Sequence, residues 1–142
     1  MARKIRTGDV FSIELPNEKY AFLRKYNGAV IAVYKQKGDS PDDYPKDDLY
    51  EFYVCVYKHV FKKWHYVTNL PFISDEDAWG PPFCWVDQIS GEYSLYYRGE
   101  RRPCTYDECK DLEILAVWDE NHLIDRIMGN HKWEQAMRKP RD

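Results

Sequence analysis

The side chains best equipped for chemistry are four histidines, four cysteines and several runs of adjacent carboxylates. Neither His59/His65 nor His122/His131 has the one-helical-turn spacing that presents two imidazoles to one metal ion. The histidines therefore read as polar surface groups, and no metal is called for. Cys55 with His59 has the composition of a nucleophile and its base. Cys55, however, lies inside the apolar run FYVCVY (52–57), and buried thiols are generally inert. Cys104 and Cys109 are the only cysteines close in sequence, and they lack the C-x-x-C spacing of a redox or zinc motif. All four cysteines read as reduced thiols. The carboxylates Asp42/Asp43, Asp47/Asp48 and Asp75/Glu76/Asp77 lie in Pro-rich stretches. Acid/base catalysis needs two carboxylates facing each other with one pKa raised by burial, whereas runs of this kind stay solvated. A P-loop, a G-x-G-x-x-G, a G-x-S-x-G elbow and an H-E-x-x-H are all absent from the sequence. The chain reads as a non-enzyme that needs no cofactor.

The acids are better suited to recognition. They alternate with aromatic residues, and an aromatic anchor ringed by charge is a frequent protein-binding hot spot. The candidate partner-binding residues are Asp42, Asp43, Tyr44, Asp47, Asp48 and Tyr50 in the first acidic stretch, and Asp75, Glu76, Asp77 and Trp79 in the second. The competing reading is a solubilising loop whose aromatics fill the core, and for Trp79 and Trp85 the balance favours the core. A different class of function is open to Tyr96, Tyr97, Arg98, Arg101 and Arg102, because single-stranded nucleic acid is bound on aromatics interleaved with cations. Tyr20, Arg24, Lys25 and Tyr26 form a second such stretch. A small nucleic-acid-binding β-barrel is thus the alternative to a protein-binding module.

Composition sets the frame for both readings. The 142 residues are 44% hydrophobic and 32% charged, enough for one domain with its own core. A domain of this size buries roughly 70% of its unfolded surface and needs no metal or disulfide staple. Net charge is −3, which argues against nucleic acid, but the charge is patched. Residues 1–37 carry eight basic and three acidic side chains; residues 38–57 and 65–100 each carry six acidic and one basic. Patched charge orients an encounter with a protein partner. No apolar run approaches the ~20 residues of a membrane helix, and no apolar stretch follows the basic start MARKIRTGDVF. The expectation is a soluble, cytoplasmic protein without a membrane partner.

The elements that must position these residues are mainly strands. DVFSIEL (9–15) and KYAFLRKY (19–26) alternate with period 2, and AVIAVY (29–34) is continuous and β-branched. Asn27-Gly28 between them predicts a type I′ hairpin with both residues at positive φ. Residues 38–48, with two Pro and five Asp, form a long loop. DLYEFYVCVYKHVF (48–61) reads as one long strand, with Tyr50, Phe52, Val54 and Val56 on one face. KKWHYVTNL (62–70) gives a fifth strand, 71–82 is irregular, and FCWVDQI with EYSLYYRG forms a hairpin across Ser90-Gly91. Thr105 to Glu108 fits a capping box. LEILAVW (112–118) reads as a strand, and Asp119 caps a helix over 120–128 that Gly129 stops. Trp133, Ala136 and Met137 permit a last helix before Pro140. The fold class is α+β, mainly antiparallel β: a strongly curved sheet or partly open barrel with a C-terminal helix, with the core over about 5–129 and a tail from 130.

Two of these stretches also carry a resemblance. GDVFSIELPNEKYAFLRKY followed by AVIAVY (8–34), and CKDLEILAVWDENHLIDRIMG (109–129) with its Leu112-Glu113, Val117-Trp118 and Asp125-Arg126, resemble the immunity protein 26 family of bacterial polymorphic-toxin systems. The chain departs from that pattern at Glu14, where the family has Pro, and at Leu23, where it has Gly before Arg. The resemblance implies a non-catalytic cytoplasmic protein that binds and blocks a cognate toxin domain.

Overall fold

The computed structural model describes residues 4–138. Strands β1 (Asp9–Glu14), β2 (Tyr20–Lys25) and β3 (Val30–Tyr34) pair antiparallel in sequence order, as their alternation predicts. β4 (Tyr50–Val56) joins beside β3 and β5 (His65–Asn69) beside β1. A second group, β6 (Phe83–Val86), β7 (Tyr93–Tyr97) and β8 (Glu100–Pro103), forms a separate antiparallel sheet. The two-residue β9 (Val117–Trp118) returns to the first sheet, parallel to β4. The large sheet has the order β5-β1-β2-β3-β4-β9. Its end strands do not pair with each other, so it stays open and does not form a barrel.

Both faces of the large sheet are covered. On one face Phe11, Ile13, Leu23, Ile31, Val33, Val54 and Val56 pack under a 3-10 turn (Lys58–Lys62) and under helix α2 (Glu120–Ile127). Helix α2 follows the predicted cap at Asp119, whose carboxylate accepts from Glu120 N, and it buries Leu123 and Ile127 one turn apart. Helix α3 (Lys132–Arg138) is held against α2 by Trp133, which donates to Asp125 at 2.9 Å and packs on the His122 ring, and by the Arg126 guanidinium. Arg126 makes a fork to both oxygens of Glu113 at 2.7 and 2.8 Å, and its Nε lies 2.8 Å from Glu134. The opposite face carries Val10, Phe22, Arg24, Tyr26, Ala32, Tyr34, Tyr53 and Cys55 and is roofed by the two acidic stretches and by β6–β7.

Several local expectations are corrected. Asn27 does not take positive φ; only Gly28 does, at +70°. The reason is tertiary, since Asn27 N donates to Ala78 O at 2.9 Å and its side-chain oxygen accepts from Thr7. The two-residue turn with both φ positive is instead Arg98-Gly99, at +53° and +79°, joining β7 to an unforeseen β8. β4 stops at Val56, where the chain winds into the 3-10 turn rather than running on to Phe61. A bulge opposite Val33/Tyr34 shifts Tyr50 off the face of Phe52 and Val54, and its ring packs with Tyr34, Tyr26 and Tyr53. Residues 112–118 form no continuous strand. They bridge to Cys84 of the small sheet at Ile114 before joining β4 at Val117. α1 (Tyr106–Cys109) begins with the predicted capping box, complete in both directions. Pro140 lies outside the described residues.

Candidate protein-recognition face

The two acidic stretches are fastened to the same face of the large sheet by one cation. Arg24 leaves β2 on that face and is only 6% exposed. Its Nη1 donates to the Tyr50 hydroxyl at 3.1 Å and lies 3.7 Å from Asp48. Its Nη2 donates to the carbonyls of Leu70 (2.5 Å) and Pro71 (3.4 Å), and the guanidinium sits 3.8 Å above the Phe72 ring. Tyr50 and Asp48 end the first acidic stretch; Leu70, Pro71 and Phe72 begin the second. A buried guanidinium needs its charge faced and its donors used; Arg24 meets this at Nη1 and Nη2, while its Nε has no hydrogen-bond partner among the described residues. The fork geometry lets one side chain satisfy both segments at once, which a point-like ammonium cannot do. Beside it, Tyr44, Pro45, Lys46, Asp48, Leu70 and Pro71 line a cavity of about 310 Å³ with Arg24.

Beneath the roof is a cluster of tyrosines. Tyr26 lies 5.5 Å from Tyr53 and 4.8 Å from Phe72 between ring centres, and Tyr34 lies 4.9 Å from Tyr50. Burial pushes the phenols of Tyr26, Tyr34 and Tyr53 above their ordinary range, so they stay protonated. Burial likewise raises the Cys55 thiol to about 11. These groups pack against their neighbours, and none of them is poised as a nucleophile at neutral pH.

The residues predicted for recognition divide by role. Tyr44 is half-buried under the Lys46 ammonium, 3.3 Å from its ring centre, and Tyr50 is half-buried against Arg24. Asp42 is used internally, 2.7 Å from His65 Nε2, and Asp47 accepts from Leu49 N. Asp43, Asp75, Glu76 and Asp77 are exposed and have no ion-pair partner among the described residues. Trp79 and Trp85, assigned to the core from sequence, are half-buried instead. Trp85 carries Arg101 at 4.0 Å over its ring.

The exposed apolar groups of this face are aliphatic, and the sequence reading missed them. Ile73 is 100% exposed just before Asp75-Glu76-Asp77, and Leu49 is 58% exposed just after Asp47-Asp48. For Ile73 a signal was available, since it is an apolar residue beside three acids in a stretch read as irregular; Leu49 gave none, because it was read as part of the long strand 48–61. Loop 38–48 and loop 71–82 meet at Arg24, whereas Glu76–Ala78 form a 3-10 turn at the β2–β3 hairpin, tied there by Asn27.

The alternative stacking platform is dispersed by strand geometry. Tyr96 pairs with Arg101 and Tyr97 with Glu100, so the two tyrosines point to opposite faces of the small sheet. Arg101 is engaged by Ser94 and lies 3.8 Å from Asp87, and Arg102 lies 3.8 Å from Glu108. In the second stretch, Arg24 is buried as described and Lys25 Nζ donates to Tyr26 O and Gly28 O. No group of histidine, cysteine and carboxylate side chains among the described residues is arranged to hold a metal ion, and no described helix is long and apolar enough to cross a membrane.

Against family models, curated proteins and solved structures, the chain has no match.

Proposed function

We propose that this protein is an immunity-type inhibitor that binds a cognate bacterial toxin domain without catalysing a reaction. The observation that carries the reading is the pairing of exposed carboxylates with exposed aliphatic side chains in the two acidic stretches: Ile73 with Asp75, Glu76 and Asp77, which have no ion-pair partner among the described residues, and Leu49 with Asp47 and Asp48. Isoleucine fully in water gains nothing for the monomer; buried in a partner's socket it contributes about 1.5–3 kcal/mol. The surrounding carboxylates select a basic partner surface and speed its capture. The residues behind the family resemblance support the same reading at the level of the scaffold. Gly8 and Asp9 join β1 to β5, with Asn69 Nδ2 donating to Asp9 at 2.8 Å, while Glu113 and Arg126 clamp the helices. The cytoplasm of a bacterium is where such an inhibitor acts.

The test is co-expression with candidate toxin domains encoded beside it, followed by association kinetics on the pair that is neutralised. Ile73→Asp is expected to abolish protection and raise Kd at least 30-fold. Neutralising Asp43, Asp75, Glu76 and Asp77 to their amides is expected to slow association and flatten its salt dependence. Protection that survives Ile73→Asp, with unchanged association rates for the amide variant, removes this face from the interface. A protein that protects against no toxin but binds single-stranded oligonucleotides with salt-sensitive affinity overturns the proposal in favour of a nucleic-acid binder.

A further inference from the structure

We infer that Cys104 and Cys109 form a reversible intramolecular disulfide, a modification site that joins the end of β8 to α1. The two sulfurs lie 2.9 Å apart, inside their van der Waals contact, so about 1 Å of approach brings them to bonding distance. The chain holds them there from both sides. Cys104 N donates to Tyr93 O, fixing the end of β8, and the Thr105–Glu108 capping box sets the first turn of α1, on which Cys109 sits. Cys109 is fully buried, with its thiol directed to Ser94 O at 3.4 Å, while Cys104 is half-exposed. An attacking reagent therefore meets Cys104 first, and Cys109 resolves the product.

The oxidant is a low-molecular-weight disulfide such as oxidised glutathione. The Cys104 thiol loses its proton, its sulfur attacks one glutathione sulfur, the glutathione S–S bond breaks, and one glutathione leaves as thiolate and is protonated. Cys109 then loses its proton and attacks the Cys104 sulfur of the mixed disulfide, forming the protein S–S bond and expelling the second glutathione. Two protein thiols are oxidised and one glutathione disulfide is reduced to two thiols. Partial desolvation and the adjacent Cys109 thiol hold Cys104 at about 11, with Glu108 raising it and Arg102 opposing, so the exchange is slow at neutral pH and faster in mild base. Cys84 also lies against Cys109, which makes it the one competing partner inside the fold.

The experiment equilibrates the folded chain in glutathione buffers of graded oxidation, quenches with acid, alkylates under denaturing conditions and maps the cysteines by mass spectrometry. The expected product has lost two hydrogens, leaves only Cys55 and Cys84 open to alkylation, and carries a bond linking Cys104 to Cys109. Cys109→Ser is expected to stop at a glutathione adduct on Cys104, and Cys84→Ser to behave as the parent. A parent protein that accumulates the Cys104 adduct, a bond mapped to Cys84–Cys109, or four alkylatable thiols in every buffer overturns the assignment. Far-UV circular dichroism confirms that each variant is folded before it is scored.

Discussion

Arg24→Met removes the one cation that fastens both acidic stretches to the sheet, and its cost follows from the contacts. Two hydrogen bonds from the charged donor, to Tyr50 Oη at 3.1 Å and Leu70 O at 2.5 Å, contribute about 1.5–3 kcal/mol each. The face contact with Phe72 adds about 2 kcal/mol in a desolvated setting. Asp48 is largely in water, and an ion contact of that kind adds about 0–1 kcal/mol. Opposing these is the desolvation of the guanidinium, several kcal/mol, which methionine does not incur. The net loss is about 2–4 kcal/mol, because the Tyr50 hydroxyl and the Leu70 carbonyl are left short of a donor. For a domain of this size that lowers Tm by about 10 °C. Urea unfolding gives the stability, and amide hydrogen exchange gives the location: protection should fall in 38–50 and 70–78 while β1 and β3 keep theirs. Arg24→Lys should recover less than half of the loss, since an ammonium cannot reach both segments in one geometry. A loss under about 1 kcal/mol, with exchange unchanged in both stretches, would refute the pinning argument.

Two further perturbations test the helical side. Arg126→Met leaves the Glu113 and Glu134 carboxylates without their shared cation and should cost about 3–5 kcal/mol in urea unfolding; Glu113→Gln combined with it should cost less than the sum of the two single changes. Asp119, which accepts from the first amide of α2 and faces His59, has a carboxyl held below its ordinary range. Its stabilisation is therefore complete above the unfolded pKa of about 4 and is lost as pH falls through the folded value. Thermal unfolding of Asp119→Asn against the parent should show a gap at pH 7 that closes below pH 3, and a gap independent of pH would count against it.

What the sequence disclosed follows from which forces are local. The alternation of Phe11, Ile13 and Leu15 against Val10 and Ser12, and of Ala21 and Leu23 against Phe22 and Arg24, placed the first strands and their faces, because successive side chains of a strand point to opposite faces, and here each face packs against a different layer. The caps at Thr105 and Asp119 and the stop at Gly129 were legible for the same reason, being satisfied within one turn of chain. Strand β8, Glu-Arg-Arg-Pro, was not legible: an exposed edge strand needs neither alternation nor β-branched residues. The conformation at Asn27 depended on the carbonyl of Ala78, far along the chain. The face of Tyr50 depended on a bulge set by pairing with β3. The candidate recognition face was half legible. Its carboxylates were found, but the aromatic residues nominated as anchors are half-buried, Tyr50 serving Arg24 and the tyrosine cluster and Tyr44 lying under Lys46, and exposed apolar groups in these stretches are Ile73 and Leu49.

Glu113 belongs to two layers at once. Its backbone oxygen accepts from Cys84 N at 2.8 Å, so its main chain is part of the small sheet's margin, while its carboxylate grips Arg126 of α2. Leu115 N returns a second bond to Cys84 O at 2.7 Å before the chain enters the large sheet at Val117. Swinging the small sheet outward therefore loads the helix pair through a joint a single residue long, with no slack between the two attachments. In mechanical terms the small sheet is a bracket welded to the frame rather than a flap hung from it. Strain applied at its β7–β8 tip is passed through Cys84 and Glu113 to Arg126, and from there to α3.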